Sequence, residues 1–146
     1  MQLQALRKDT DGNPQNEDEA RAFVAHVESL FNPWNIDALV DGFTEDCIVR
    51  FGTVAEFSGR DRLRAFFTAR SKKQKNYKLV KTFRAMQGDT IANVWSGEWQ
   101  DAETGAAMKG FGVETWLMRG GKIALWEGAF NVARADASNS VAEMLR

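Results

Sequence analysis

YKLVKTFRAMQGDTIANVWSGEWQ (residues 77–100) and AMKGFGVETWLMRGGKIALWEGAFNV (residues 107–132) decide the fold. Side chains alternate in character along both stretches, and turn-forming residues interrupt them at Gly88-Asp89, Glu103-Thr104-Gly105 and Gly120-Gly121. The pattern predicts four consecutive antiparallel strands, about Tyr77 to Met86, Ile91 to Gln100, Ala107 to Met118 and Lys122 to Val132. A meander of this length twists enough to curl around helices.

Upstream of the meander the period is helical. Asn16 reads as an N-cap with Glu17, Asp18 and Glu19 in the first turn, followed by an apolar stripe of Phe23, Val27, Leu30 and Phe31. After Asn32-Pro33, Asn35 caps a second helix with Ile36, Leu39, Val40 and Phe43 on its buried side. Cys47 to Phe51 and Ala55 to Phe57 read as short strands, and Ser58 with Asp61 as a capping box for a helix through Leu63, Phe66 and Phe67. Arg70, Lys72, Lys73 and Lys75 read as the solvated C-terminus of that helix. The expected class is α+β, with N-terminal helices packed in the concave face of a curved, mainly antiparallel sheet. A flexible arm over 1–15, one domain over 16–133 and a C-terminal tail over 134–146 complete the organisation.

Charge and composition narrow the functional classes. Among 146 residues, 19 Lys plus Arg face 20 Asp plus Glu, so no global field draws the chain to nucleic acid or to an anionic membrane. No apolar run approaches the roughly 18 residues that span a bilayer. The single cysteine, Cys47, rules out an intramolecular disulfide and a thiolate cluster, and fits a reducing cytoplasm. The single histidine, His26, rules out sites built from several imidazoles. No metal is expected. No organic cofactor is expected either, because Gly110 and Gly112 lie within a strand and open no phosphate-binding helix.

Alternation assigns the faces. In the second long strand Ile91, Asn93, Trp95, Gly97 and Trp99 face the core; in the first, Tyr77, Leu79, Lys81, Phe83 and Ala85 do. Lys81 therefore enters the interior and needs an anion. Glu114, in phase with Gly112 and Trp116, is one candidate, although both phases of its strand are mixed. Both phases of the last strand are apolar. The set with Trp126 and Phe130, together with Phe111, is expected on the outer face as the contact of a homodimer.

Asn35-Ile36-Asp37-Ala38-Leu39, Phe43-Thr44-Glu45-Asp46, Ser58-Gly59-Arg60, Gly112-Val113-Glu114-Thr115-Trp116, Gly120-Gly121-Lys122-Ile123 and Phe130-Asn131 resemble the SnoaL-like proteins of the nuclear transport factor 2-like superfamily over about 16–133. An uncharacterised SnoaL-like subgroup is similar also at Glu56-Phe57, at Tyr77, Leu79 and Lys81, and at Glu98-Trp99. The resemblance implies a cone-like fold with a hydrophobic pocket, Glu114 pointing into it, and polar pocket positions at Asn131 and Glu127. It also implies departures. Phe51 and Val27 stand where ketosteroid isomerases carry their base and tyrosine, and Asn131 replaces an acid of the limonene epoxide hydrolase set.

These readings make Glu114, Lys81 and Asn131 the candidate catalytic residues. Trp34, Phe51, Asn93, Trp95, Trp99, Trp116 and Glu127 are expected to bound the pocket of a small, partly apolar organic ligand. Glu114 would move a proton on carbon beside a carbonyl, with Lys81 and Asn131 bonding the enolate oxygen, as in an isomerase, cyclase or lyase. Two alternatives stand beside this one: Lys81 and Glu114 as a structural ion pair, and a ligand-binding or protein-docking dimer without catalysis.

Overall fold

The computed structural model describes residues 8–137. Helix α1 (Glu17–Ser29) starts where the Asn16 side chain accepts from the Glu19 N–H at 2.9 Å, and buries Ala20, Val24 and Val27. It is shorter than its stripe implied. Leu30 is the C-cap, and Phe31 turns back to bridge Trp34. The Asn35 side chain accepts from the Ala38 N–H at 3.1 Å and opens α2 (Ile36–Asp41), while Phe43 belongs to the next strand, β1 (Phe43–Phe51).

The strand β2 (Phe57–Ser58) leads into α3 (Arg60–Lys73). The expected capping box does not form: Ser58 lies in β2, and Gly59 occupies the N-cap at φ +89°, a conformation that a residue with Cβ resists. Arg60 fixes this start instead, donating from Nε and Nη2 to the Phe43 carbonyl at 3.0 and 2.6 Å. The meander follows as β3 (Gln74–Gln87), β4 (Thr90–Asp101), β5 (Ala107–Arg119) and β6 (Lys122–Arg134). The sheet order is β2-β1-β6-β5-β4-β3, with β1 and β6 parallel and the other pairs antiparallel. The helices cover one face of this curved, unclosed sheet, and the main core joins Val24, Val27, Leu63 and Phe67 to Ile91, Trp116 and Trp126.

One irregularity in β6 overturns the expected faces. Leu117 pairs with Leu125 and Met118 with Ile123, which leaves Ala124 unpaired as a bulge. Ile123 and Trp126 thereby both join the main core, while Leu125 packs with Ile48 and Leu117 on the other side. Both phases read as apolar because the strand changes phase. From there the register is strict: Trp126 opposes Trp116, Gly128 opposes Glu114, and Phe130 opposes Gly112. Trp126 and Phe130 therefore lie on the inner face, contrary to expectation. Glu127 and Asn131, opposite Thr115 and Phe111, lie exposed on the outer one.

Within the expected arm, residues 8–15 include Asn13, whose contacts reach the meander. Asn13 is buried; its side chain donates to Asp9 O and Asp89 Oδ1, each at 3.1 Å, and accepts from the Gly121 N–H at 2.7 Å, tying two hairpins together. Residues 1–7 of the expected arm and 138–146 of the expected tail lie outside the described residues. Among the described residues no helix is long and apolar enough to cross a membrane, and no cluster of His, Cys, Asp and Glu is suited to hold a metal.

Candidate functional site

Between α3 and the inner sheet face lies a cavity of about 380 Å³. Its wall is aromatic, with Phe51, Phe66, Trp95, Trp99, Trp126 and Phe130, and its polar lining includes Arg70, Tyr77, Lys81 and Glu114, with Lys73 and Gln74 at the end of α3. Phe130 and Val132 are exposed although they line it, and so mark its mouth. Missing side chains shape the space. A Cβ on Gly112 would come within 2.3 Å of the Trp95 indole nitrogen, and one on Gly97 within 2.9 Å of the Tyr77 ring. Both rings thus lie flat over the backbone of the neighbouring strand.

Lys81 and Glu114 meet as an ion pair with side chains 4% and 1% exposed. The second Glu114 oxygen accepts from Trp126 Nε1 at 2.7 Å, so both ends of the carboxylate are held. Lys81 is also placed by its backbone, whose N–H donates to Glu28 Oε1 at 2.6 Å, and by the rings of Trp116 and Phe31 at 5.4 and 5.7 Å from Nζ. Burial pushes the Lys81 ammonium below its ordinary pKa, and Glu114 pulls against that shift. In a low dielectric the partner keeps the charge affordable.

The other polar end belongs to α3. The Arg70 guanidinium lies 5.4 to 5.7 Å from the ring centres of Trp34, Phe66, Tyr77 and Phe31. It donates from Nε to Gln74 Oε1 at 2.9 Å and from Nη2 to the Tyr77 hydroxyl at 3.2 Å. Burial lowers the Arg70 pKa and raises that of Tyr77, whose phenol stays protonated at neutral pH. Arg70 thus lines the cavity, contrary to the expectation of a solvated helix end. The missed signal was its spacing, since half-buried Arg70 continues the helical stripe of buried Leu63 and Phe67.

Of the residues named from the sequence, Glu114, Lys81, Phe51, Trp95 and Trp99 line the cavity together. Asn131 and Glu127 do not reach it; Glu127 is exposed and lies 3.6 Å from Arg50. Trp34 stacks on Tyr77 behind the wall, and Trp116 is core, edge-on to Phe23. Asn93 is fully buried beside Glu114 in the register, and neither polar atom of its amide meets a protein partner among the described residues. His26 is exposed and Cys47 is buried.

A family model described as "Protein of unknown function (DUF1348)" matches residues 13–138. No curated protein sequence matches the chain. Among solved structures, the epoxide hydrolase/cyclase-like enzyme SalBIII, with a role in pyran ring formation in the polyether salinomycin, superposes with a TM-score of 0.73 at 19% identity, over 82% of this chain and 98% of that one. A proposed isomerase from Bacillus subtilis gives 0.68 at 13% identity, over 80% and 90%. A protein with a ketosteroid isomerase-like fold from Catenulispora acidiphila DSM 44928, in complex with trimethylamine, gives 0.64 at 15% identity, over 72% and 82%. These likenesses show the fold alone, a cone of the nuclear transport factor 2-like type.

Proposed function

This chain belongs to the DUF1348 family, and from that premise and its cavity we propose a small-molecule-transforming enzyme in which Glu114 moves a proton on carbon next to a carbonyl. The observation that carries the proposal is a carboxylate on the cavity wall with both oxygens oriented, by Lys81 and by Trp126 Nε1. A carboxylate accepts at about four lone-pair sites, so these two donors leave it capacity to take a substrate proton. The Lys81 ammonium has three donors, and those not engaged by Glu114 are suited to the enolate oxygen that develops. Asn131, on the outer face, takes no part. Isomerisation, cyclisation and loss of water all begin with this step, and none of them needs a cofactor.

A second reading, ligand binding without turnover, is favoured by how deeply the pair is buried, as a structural ion pair would be. Solvent-deuterium exchange into a panel of cyclic ketones and enones separates the two. The expected outcome is exchange by the parent, slowed about 100-fold or more in Glu114→Gln. Equal rates in parent and variant would remove Glu114 from the chemistry, and a ligand that copurifies and is released unchanged would favour binding.

We also propose the homodimer through the outer sheet face, with different contacts from those first expected. Phe111 remains, joined by Val80 and Val113, which are 56% and 51% exposed. Trp126 and Phe130 are replaced because they share the phase of Gly128, opposite Glu114, on the inner face.

A further inference from the structure

We propose that the Arg70–Tyr77 end of the cavity receives a carboxylate, so that the ligand is a small aromatic or alicyclic acid held by its anion at α3 and by its ring against Trp95 and Trp99. The proposal rests on reading this cavity as a small-molecule site. Arg70 is a cation whose hydrogen bonds among the described residues go to neutral groups only, the Gln74 amide and the Tyr77 hydroxyl. A guanidinium has five N–H donors, of which these bonds use two; both hydrogens on Nη1 and one on Nη2 meet no acceptor among the described residues. The nearest acid of the cavity, Glu114, is already engaged by Lys81 and Trp126.

Charge points the same way. Lys81 has the carboxylates of Glu114 and Glu28 beside it, and Lys73, which also lines the cavity, has Asp101 at 3.0 Å, whereas Arg70 has no carboxylate in hydrogen-bonding contact among the described residues. A ligand carboxylate would give this cation a direct partner where desolvation makes an unmatched charge costly. The planar fork suits it, because Nη1 and Nη2 present parallel donors to two oxygens. Tyr77 adds a donor: its oxygen accepts from Arg70, which leaves its own O–H directed by that bond and without an acceptor among the described residues. The aromatic rings around the guanidinium hold it rigid and exclude the water that would otherwise screen it.

The test titrates 2-naphthoate and its neutral analogue 2-naphthamide into the full chain by isothermal titration calorimetry. The parent is expected to bind the acid at least 10-fold more tightly than the amide. Arg70→Met should remove that preference, while Glu114→Gln, which deletes the competing negative charge, should tighten the acid further. Equal affinity of acid and amide in the parent overturns the carboxylate site and leaves the small-molecule reading standing. So does Arg70→Met binding the acid as the parent does. Failure of both probes to bind also overturns it. The comparison within the parent decides the matter even if Arg70→Met does not fold. A proton-transfer role that fails in the deuterium experiment leaves the acid preference untouched, so the two failures are separable.

Discussion

Lys81 and Glu114 form a buried pair on which stability and the proposed chemistry both depend. Neither side chain reaches bulk solvent, so deleting one partner strands the other in a low dielectric. Lys81→Met is expected to cost about 3–5 kcal/mol of unfolding free energy in denaturant titration, and Lys81→Met with Glu114→Gln to recover much of that. Gln keeps an acceptor for Trp126 Nε1, which is why the recovery is expected. A loss below about 1 kcal/mol for the single variant would show that water reaches the pair. This residue-scale feature was legible beforehand: a lysine in the apolar phase of a long strand has to find an anion. Arg70 was not, because a basic residue near a helix C-terminus has a ready explanation in the helix dipole.

At the scale of elements, the hairpins carry local chemistry and the strands carry register. In the turn between β4 and β5, Asp101 Oδ1 accepts from the backbone N–H groups of Glu103 and Thr104 at 2.9 and 3.0 Å, and Oδ2 pairs with Lys73. The Thr104 N–H, then Lys73 and the Glu103 N–H, lower the Asp101 pKa from 3.8 to about 2. Because the folded value is the lower one, the carboxylate favours the fold above 3.8, and that contribution disappears as pH falls through about 2. Asp101→Ala should therefore be less stable than the parent at neutral pH, with the gap closing across this acidic window. A gap independent of pH would assign the effect to packing. The β6 bulge is the opposite case. Hairpin residues announce turns, but nothing in Ile123-Ala124-Leu125-Trp126 announces which residue is left unpaired. That one insertion moves Trp126 and Phe130 inward and Glu127 and Asn131 outward.

The whole molecule is a cone whose inner face is filled by helices, aromatic rings and a cavity, and whose outer face keeps Val80, Phe111 and Val113 in water. Exposed apolar residues grouped on one sheet face suit burial against a second copy. Phe111→Lys is expected to shift the parent from dimer to monomer in sedimentation velocity with little change in ligand binding, since Phe111 and the cavity lie on opposite faces. A parent that sediments as a monomer at all concentrations would remove the dimer. Asn13 acts at this scale too, for its side chain joins the β3–β4 and β5–β6 turns at one end of the meander.

The sequence by itself determined the order of the helices, the four-strand meander, the inward direction of Lys81 and the family of folds. The first three follow from periodicity, caps and turn residues, which act over a few positions, and the family of folds from the resemblance of short stretches. Only the tertiary structure decided which acids and aromatics share the cavity. Glu114 and Asn131 were both expected inside, yet β5–β6 register places Gly128 opposite Glu114 and Phe111 opposite Asn131, so the two cannot share a face. Register and bulge position depend on pairing between distant strands. An alternation pattern is unchanged by a shift of one residue, although that shift reverses every side chain.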